Sequence, residues 1–273
     1  MADYGAEYPY HPAACYGGWG QALDLYLDGS IAVCNHAHNG RSTETFRNEG
    51  HFDLIQKQLR PGDFVVIQFG HNDQKHPHLQ AYNGYPENLR RFIEEIRAKK
   101  ALPILATPIA RNTWTEQNGK LTYNDLLHDH AQACIALGKE LNVPVLDLHQ
   151  AAMEDIIRLG RDASKAYYHQ GDWTHTNDYG AVRAAGYAAN ALRSLGGAFP
   201  DYLPLIQAVS VSIKPWKPEA ALLLEKPVRL AGVKDPNGTE EGTAAQDHQA
   251  EKDGGDALAR LLAAVQSARG QGG

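Results

Sequence analysis

The stretch Pro61-Gly62-Asp63-Phe64-Val65-Val66-Ile67-Gln68-Phe69-Gly70-His71-Asn72-Asp73 decides how the chain folds. A turn triplet, Pro61-Gly62-Asp63, leads into a short apolar run, which breaks at a glycine followed by polar side chains. The run from Phe64 to Phe69 is apolar but for Gln68, so a buried strand covered on both faces is predicted there, as in a parallel sheet. Leu102-Pro103-Ile104-Leu105-Ala106 and Val143-Pro144-Val145-Leu146-Asp147 repeat the pattern, each after a helical stretch, Glu87 to Lys100 and Asn124 to Leu141. A fourth run, Ser30-Ile31-Ala32-Val33-Cys34-Asn35, follows a helix predicted from Trp19 to Leu27. Strands spaced by amphipathic helices predict an α/β fold, a three-layer α/β/α sandwich with a parallel sheet. In such sheets functional groups gather on loops beyond the carboxyl ends of the strands.

The chain has 273 residues, 43% of them apolar, enough for one α/β domain with an appendage. A helix from about Tyr179 to Leu195, stopped by Gly196-Gly197, closes the core, so residues 1–197 form the predicted domain. Residues 198–233 are an extension without an assigned role. Residues 234–255, nearly free of apolar side chains, are predicted to be a flexible linker, and residues 256–273 a short helix and tail.

The net charge of −6 and scattered Lys and Arg argue against a nucleic-acid partner. No apolar run approaches the ~18 residues that span a bilayer, so no membrane partner is predicted. Cys15, Cys34 and Cys134 cannot all pair within the chain, which favours a reducing, cytoplasmic setting. His36 and His38 alternate about a strand end, and His76 and His78 flank Pro77. Neither pair, nor His71, has zinc-ligand spacing, so neither a metal nor another cofactor is predicted.

Chemistry-bearing residues follow the predicted strands. Gly40, in Asn39-Gly40-Arg41-Ser42, and Asn72, in Gly70-His71-Asn72-Asp73, supply a backbone N–H and an amide N–H suited to an oxyanion; both are equally residues of ordinary turns. In Asp172-Trp173-Thr174-His175, an Asp three residues before a His can hold the imidazole for general-base work, or the same residues can serve as a polar helix cap.

The order of these segments resembles the SGNH or GDSL hydrolases, and within them the rhamnogalacturonan acetylesterase family. Gly18-Trp19-Gly20-Gln21, Asn39-Gly40-Arg41-Ser42-Thr43-Glu44-Thr45-Phe46, Gln68-Phe69-Gly70-His71-Asn72-Asp73 and Thr107-Pro108-Ile109-Ala110-Arg111 carry the resemblance, which extends from Met1 to about Leu195. It implies a flavodoxin-like fold, Gly40 and Asn72 in an oxyanion hole, Asp172 and His175 as acid and base, and deacetylation of pectic rhamnogalacturonan through an acetyl-serine, without a metal.

One element of the family pattern has no counterpart, the strand ending in Gly-Asp-Ser-Thr that carries the nucleophile. Met1-Ala2-Asp3-Tyr4 reads as the continuation of that motif, and the expectation is that Met1 is internal to a longer reading frame. The resemblance places the missing first strand inside the sheet, where unpaired backbone groups would cost about 1–3 kcal/mol each. Ser42, Ser164 and Ser194 offer no convincing substitute; Ser42 lies beside the oxyanion glycine rather than opposite the base. A catalytically inactive carbohydrate-binding relative is the alternative. A glycoside hydrolase is disfavoured, since only Asp73 and Asp172 stand out as acidic residues at strand ends. For substrate, Trp19 and Trp173, with Tyr82, Tyr85 and Trp114, are candidates for stacking on sugars or for packing. Arg41 and Arg111 are candidates for pairing with galacturonate carboxylates.

Overall fold

The computed structural model describes residues 16–27, 31–169 and 171–195, so the segments predicted beyond residue 197 lie outside the described residues. Phe64–Ile67 (β1), Leu102–Ala106 (β2) and Val145–Leu146 (β5) form a parallel sheet in the order β1-β2-β5. Phe64 stands opposite Leu102, Ile67 opposite Leu105, and Leu105 opposite Val145.

Alternation along the strands divides the core into two layers. Ile104 and Ala106 of β2 face a cluster with Trp19, Leu23, Ala185 and Leu192; Leu105 faces the other way, with Ile67, Phe92, Ile93, Ile96 and Leu137. The first layer belongs to Trp19–Ala22 (α1) and Asp178–Ser194 (α7). The second comes from Thr43–Asn48 (α2), His51–Gln58 (α3), Gly84–Ala98 (α4) and His128–Leu141 (α5). This is the three-layer α/β arrangement read from the sequence.

Local chemistry explains the main helices. Tyr85, Leu89, Phe92, Ile93 and Ile96 of α4 recur at helical spacing and bury one face. Pro86 falls in the first turn, where its missing N–H costs no helical hydrogen bond. Leu105, 0% exposed, illustrates the energetics: truncation to alanine at such a site costs about 2–5 kcal/mol.

Three elements differ from the sequence reading. The strand predicted at Ser30–Asn35 is not formed: residues 31–38 make no ladder pairing, although Ile31 and Val33 pack against the first core layer, and Ser30 is outside the described residues. Strand propensity is realised only against a partner, and no described strand lies beside this segment. For a related reason Phe64, Val65 and Val66 are half-buried rather than fully covered, since among the described residues no strand pairs with one edge of β1, which borders a cleft. The third strand is shorter than predicted, because Asp147 leaves the sheet to cap the helix Leu148–Ser164 (α6), accepting from the Gln150 N–H at 3.1 Å. An unpredicted hairpin, Trp114–Gln117 (β3) and Lys120–Tyr123 (β4), turns at Asn118-Gly119, both in the left-handed region.

A buried polar knot joins α6 to α7. Asp155, 7% exposed, accepts from Arg183 Nε (2.8 Å), Tyr187 OH (2.6 Å), Tyr167 OH (3.0 Å) and Arg158. Asn177, fully buried, caps α7 through the Gly180 N–H (2.9 Å) and donates to Ala166 O and Tyr168 O (each 2.9 Å). Together these fix the corner from which the Asp172–His175 loop projects.

Candidate active site

A cleft of about 1360 Å³ runs along the open edge of β1, between residues 31–41 on one side and residues 62–72 on the other. Its floor and walls are apolar, with Leu23, Leu27, Ile55, Leu59, Leu192 and Leu195 among them. Polar groups gather at the end reached by the carboxyl terminus of β1: Gly40, Arg41, His71, Asn72, Lys75, Arg111 and His175. Loops from four separate parts of the chain therefore converge at the end of the sheet where ligands bind in open α/β folds.

Backbone and side-chain contacts pin the segment that presents His175. His169 N–H donates to His175 O (3.0 Å), Tyr168 bridges Thr176, and Thr176 Oγ1 donates to Gly17 O (2.6 Å). Asp172 Oδ1 accepts from the backbone N–H groups of Thr174 (2.6 Å) and His175 (3.1 Å), which aims Oδ2 at His175 Nδ1, 2.6 Å away. An imidazole nitrogen that close to a carboxylate carries the proton, so Nε2 is left as the base. Burial alone would raise the Asp172 pKa. The His175 hydrogen bond and charge, with the two N–H groups, outweigh it and hold the carboxyl at about 2.

Gly40 occupies the left-handed region at φ +76, with no heavy atom near the position of a Cβ; a turn demands the glycine there. Asn72 Nδ2 donates to Arg41 O at 3.2 Å, which brings the amide beside the Gly40-Arg41 turn. Asp73 holds the two loops in register: fully buried, it accepts from Thr43 N (3.0 Å), Thr43 Oγ1 (2.5 Å) and Gly70 N (3.1 Å). Burial raises its pKa, and those donors oppose the rise. So enclosed, Asp73 cannot act with Asp172 as a pair of glycosidase carboxylates.

Of the candidate site residues named from the sequence, Trp19, Gly40, Arg41, Asn72, Arg111 and His175 line the cleft, with Asp172 directly behind His175. Trp173 is 56% exposed, outside the lining, and its carbonyl accepts from Asn112 N–H. Trp19 is a core residue, 2% exposed, with its indole N–H on Gln68 Oε1 (2.9 Å); it walls the cleft and offers no face to a sugar. Tyr85 is likewise enclosed, whereas Tyr82 is exposed.

Arg41 is turned to Glu49 Oε2 (2.7 Å) and Asn39 O (2.7 Å). Arg111 Nη2 donates to His71 O (3.1 Å), and the Gln74 amide satisfies both of its neighbours in one orientation: oxygen to Arg111 Nη1 (2.7 Å) and Nη2 (2.8 Å), nitrogen to Leu126 O (2.9 Å). Burial lowers the Arg111 pKa while Asp172 opposes the change, so Arg111 links the β1 and β2 loops next to the Asp172 charge. His71 is pushed well below the ordinary histidine range by burial, with Arg111 and His175 adding to the effect, and is neutral.

The described serines are engaged elsewhere. Ser42, 1% exposed, caps α2 through the Thr45 N–H (3.1 Å); Ser164 donates to Gly160 O and Ser194 to Asn190 O. His38 stacks on His51 at 3.7 Å and His78 pairs with Glu44 at 3.0 Å. Among the described residues no group of three His, Cys, Asp or Glu side chains is placed to hold a metal, and no helix is long and apolar enough to cross a membrane.

The family model for the GDSL-like Lipase/Acylhydrolase family matches residues 1–183. The rhamnogalacturonan acetylesterase RhgT of Bacillus subtilis is 33% identical over 199 residues, 68% of this chain and 84% of its own length. A rhamnogalacturonan acetylesterase of Emericella nidulans is 29% identical over 211 residues, 68% of this chain and 82% of its own. The crystal structure of YxiM from Bacillus subtilis superposes with a TM-score of 0.60 at 30% identity, over 70% of this chain and 54% of that one.

Proposed function

The chain belongs to the GDSL-like lipase/acylhydrolase family, and from that premise we propose that the polar end of the cleft is the site of a carbohydrate acetylesterase acting on acetylated rhamnogalacturonan oligosaccharides. The observation that carries the proposal is His175, held by Asp172 at 2.6 Å and lining one cleft with Gly40 and Asn72. Relatives named as rhamnogalacturonan acetylesterases support the substrate class.

The residues have distinct parts in this chemistry. Asp172 fixes the imidazole and stabilises its protonated form; His175 Nε2 takes the proton from a serine hydroxyl as the oxygen attacks the acetyl carbonyl. Gly40 N–H and the outward Asn72 N–H receive the charge on the carbonyl oxygen. The protonated His175 returns its proton to the departing sugar oxygen, and water then releases acetate by the same path reversed.

The serine is supplied, in this proposal, by a strand lying parallel to β1 in the cleft. Such a strand would satisfy the open β1 edge, bury its side chains against both apolar walls, and end beside Gly40, Asn72 and His175. A second reading, a binding protein without catalysis, is favoured by one observation: Ser42, Ser164 and Ser194 are all committed to other partners. Acetate release from acetylated rhamnogalacturonan oligosaccharides separates the two. Release by a form that carries a Gly-Asp-Ser strand ahead of Met1 supports the esterase; sugar binding without release supports the binding protein.

A further inference from the structure

The side-chain amide of Asn72 has two ends, and only one of them can stabilise an oxyanion. Its Oδ1 accepts from Lys75 Nζ at 2.8 Å, while its Nδ2 donates to Arg41 O at 3.2 Å. Rotated by half a turn, the amide would set nitrogen against an ammonium and oxygen against a carbonyl, two repulsive contacts in place of two hydrogen bonds. The Arg41 contact is long and between neutral groups. The Lys75 contact is short and charge-assisted, a class roughly twice as strong.

We propose that Lys75 is a positioning residue that fixes the Asn72 amide with its N–H toward the cleft and polarises it as an oxyanion donor. The inference rests on Asn72 serving as that donor. Sequence spacing makes the contact possible: Asn72 precedes the 3-10 turn Asp73–Lys75, so a side chain three residues on returns over the asparagine, and the Lys75 N–H donates to Asn72 O at 3.1 Å. Burial, with a smaller push from Arg111, lowers the Lys75 pKa from the ordinary lysine value. Withdrawal of electron density through Oδ1 strengthens the opposite N–H as a donor, and the charge itself lies close to where an oxyanion would form.

Two readouts test this. In the chain as it stands, the Asn72 side-chain N–H pair is followed by NMR. Lys75→Met is expected to shift and broaden the pair as the amide samples both orientations, and Lys75→Arg to keep it near its original position; an unmoved Asn72 signal in Lys75→Met overturns the proposal. In the form carrying a serine strand, Lys75→Met is expected to lower kcat about tenfold with KM unchanged, less than the ~10²–10³ that follows loss of a whole oxyanion donor. Lys75→Arg is expected to restore most of that loss. Unchanged kcat in Lys75→Met, with equal thermal stability, overturns the proposal as well. Should the unsubstituted form release no acetate, the chain is no esterase, and the Asn72 signals still decide whether Lys75 orients the amide.

Discussion

Replacing Asp155 with asparagine removes one charge from the knot between α6 and α7 without changing its volume. Burial raises the Asp155 pKa, but hydrogen bonds from Arg183, Tyr187 and Arg158 prevail and bring it from 3.8 to about 2. At neutral pH that difference is worth about 2.4 kcal/mol of stability, reduced to about 2 because Arg158 is 64% exposed and screened. The substitution also leaves Arg183, with a side chain 13% exposed, without its carboxylate, and breaking a buried pair costs about 3–5 kcal/mol. Taken together, Asp155→Asn is expected to lose about 3 kcal/mol at pH 7, seen as a fall of about 6–12 °C in Tm.

The pH dependence separates electrostatics from packing. A carboxyl with a depressed folded pKa contributes fully above its unfolded value and loses that contribution as pH falls toward about 2. Urea unfolding at pH 7, 5 and 3 is therefore expected to show the same deficit at the first two values and one smaller by about 1 kcal/mol at pH 3. A deficit that stays constant from pH 7 to pH 3, or one below about 1 kcal/mol throughout, would refute the assignment of Asp155 as a buried electrostatic anchor.

Two further substitutions report on the same corner of the molecule. Asp172→Asn, in a form with a serine strand, is expected to cut kcat by about 10⁴, since the amide keeps the loop contacts but not the histidine tautomer, and to cost up to about 2 kcal/mol at pH 7, since it removes a carboxyl held at about 2 in the fold; acetate release and a melting curve check both. Gly180→Ala would put a Cβ 2.0 Å from Tyr167 O and is expected to cost at least about 3 kcal/mol, measured by urea unfolding.

Particular residues show what a single sequence discloses. The runs at Phe64, Leu102 and Val145 are uniformly apolar because both faces of a parallel sheet are covered, so their strands were legible without knowledge of their partners. Residues 31–35 carry the same signal without a described neighbour strand, and pairing is a property of two segments that one segment cannot announce. The β3–β4 hairpin turns on Asn118-Gly119, a dipeptide whose left-handed backbone suits a tight hairpin. Asp172 and His175 are close in sequence, so local spacing exposes their contact; the Lys75 bond to Asn72 is equally local, but residue type alone does not show that the lysine folds back onto the amide. Residue type makes Trp19 a candidate for stacking or for packing and Arg111 a candidate for binding carboxylates, whereas the bond of Trp19 to Gln68 and the engagement of Arg111 by His71 and Gln74 arise only from tertiary packing.

The most direct test is acetate release from acetylated rhamnogalacturonan oligosaccharides by the chain supplied with a Gly-Asp-Ser strand ahead of Met1, beside the same form with that serine changed to alanine. Release that depends on the serine and is lost in His175→Ala is the expected result. No release from a folded, strand-bearing form would contradict an esterase site in the cleft beside β1.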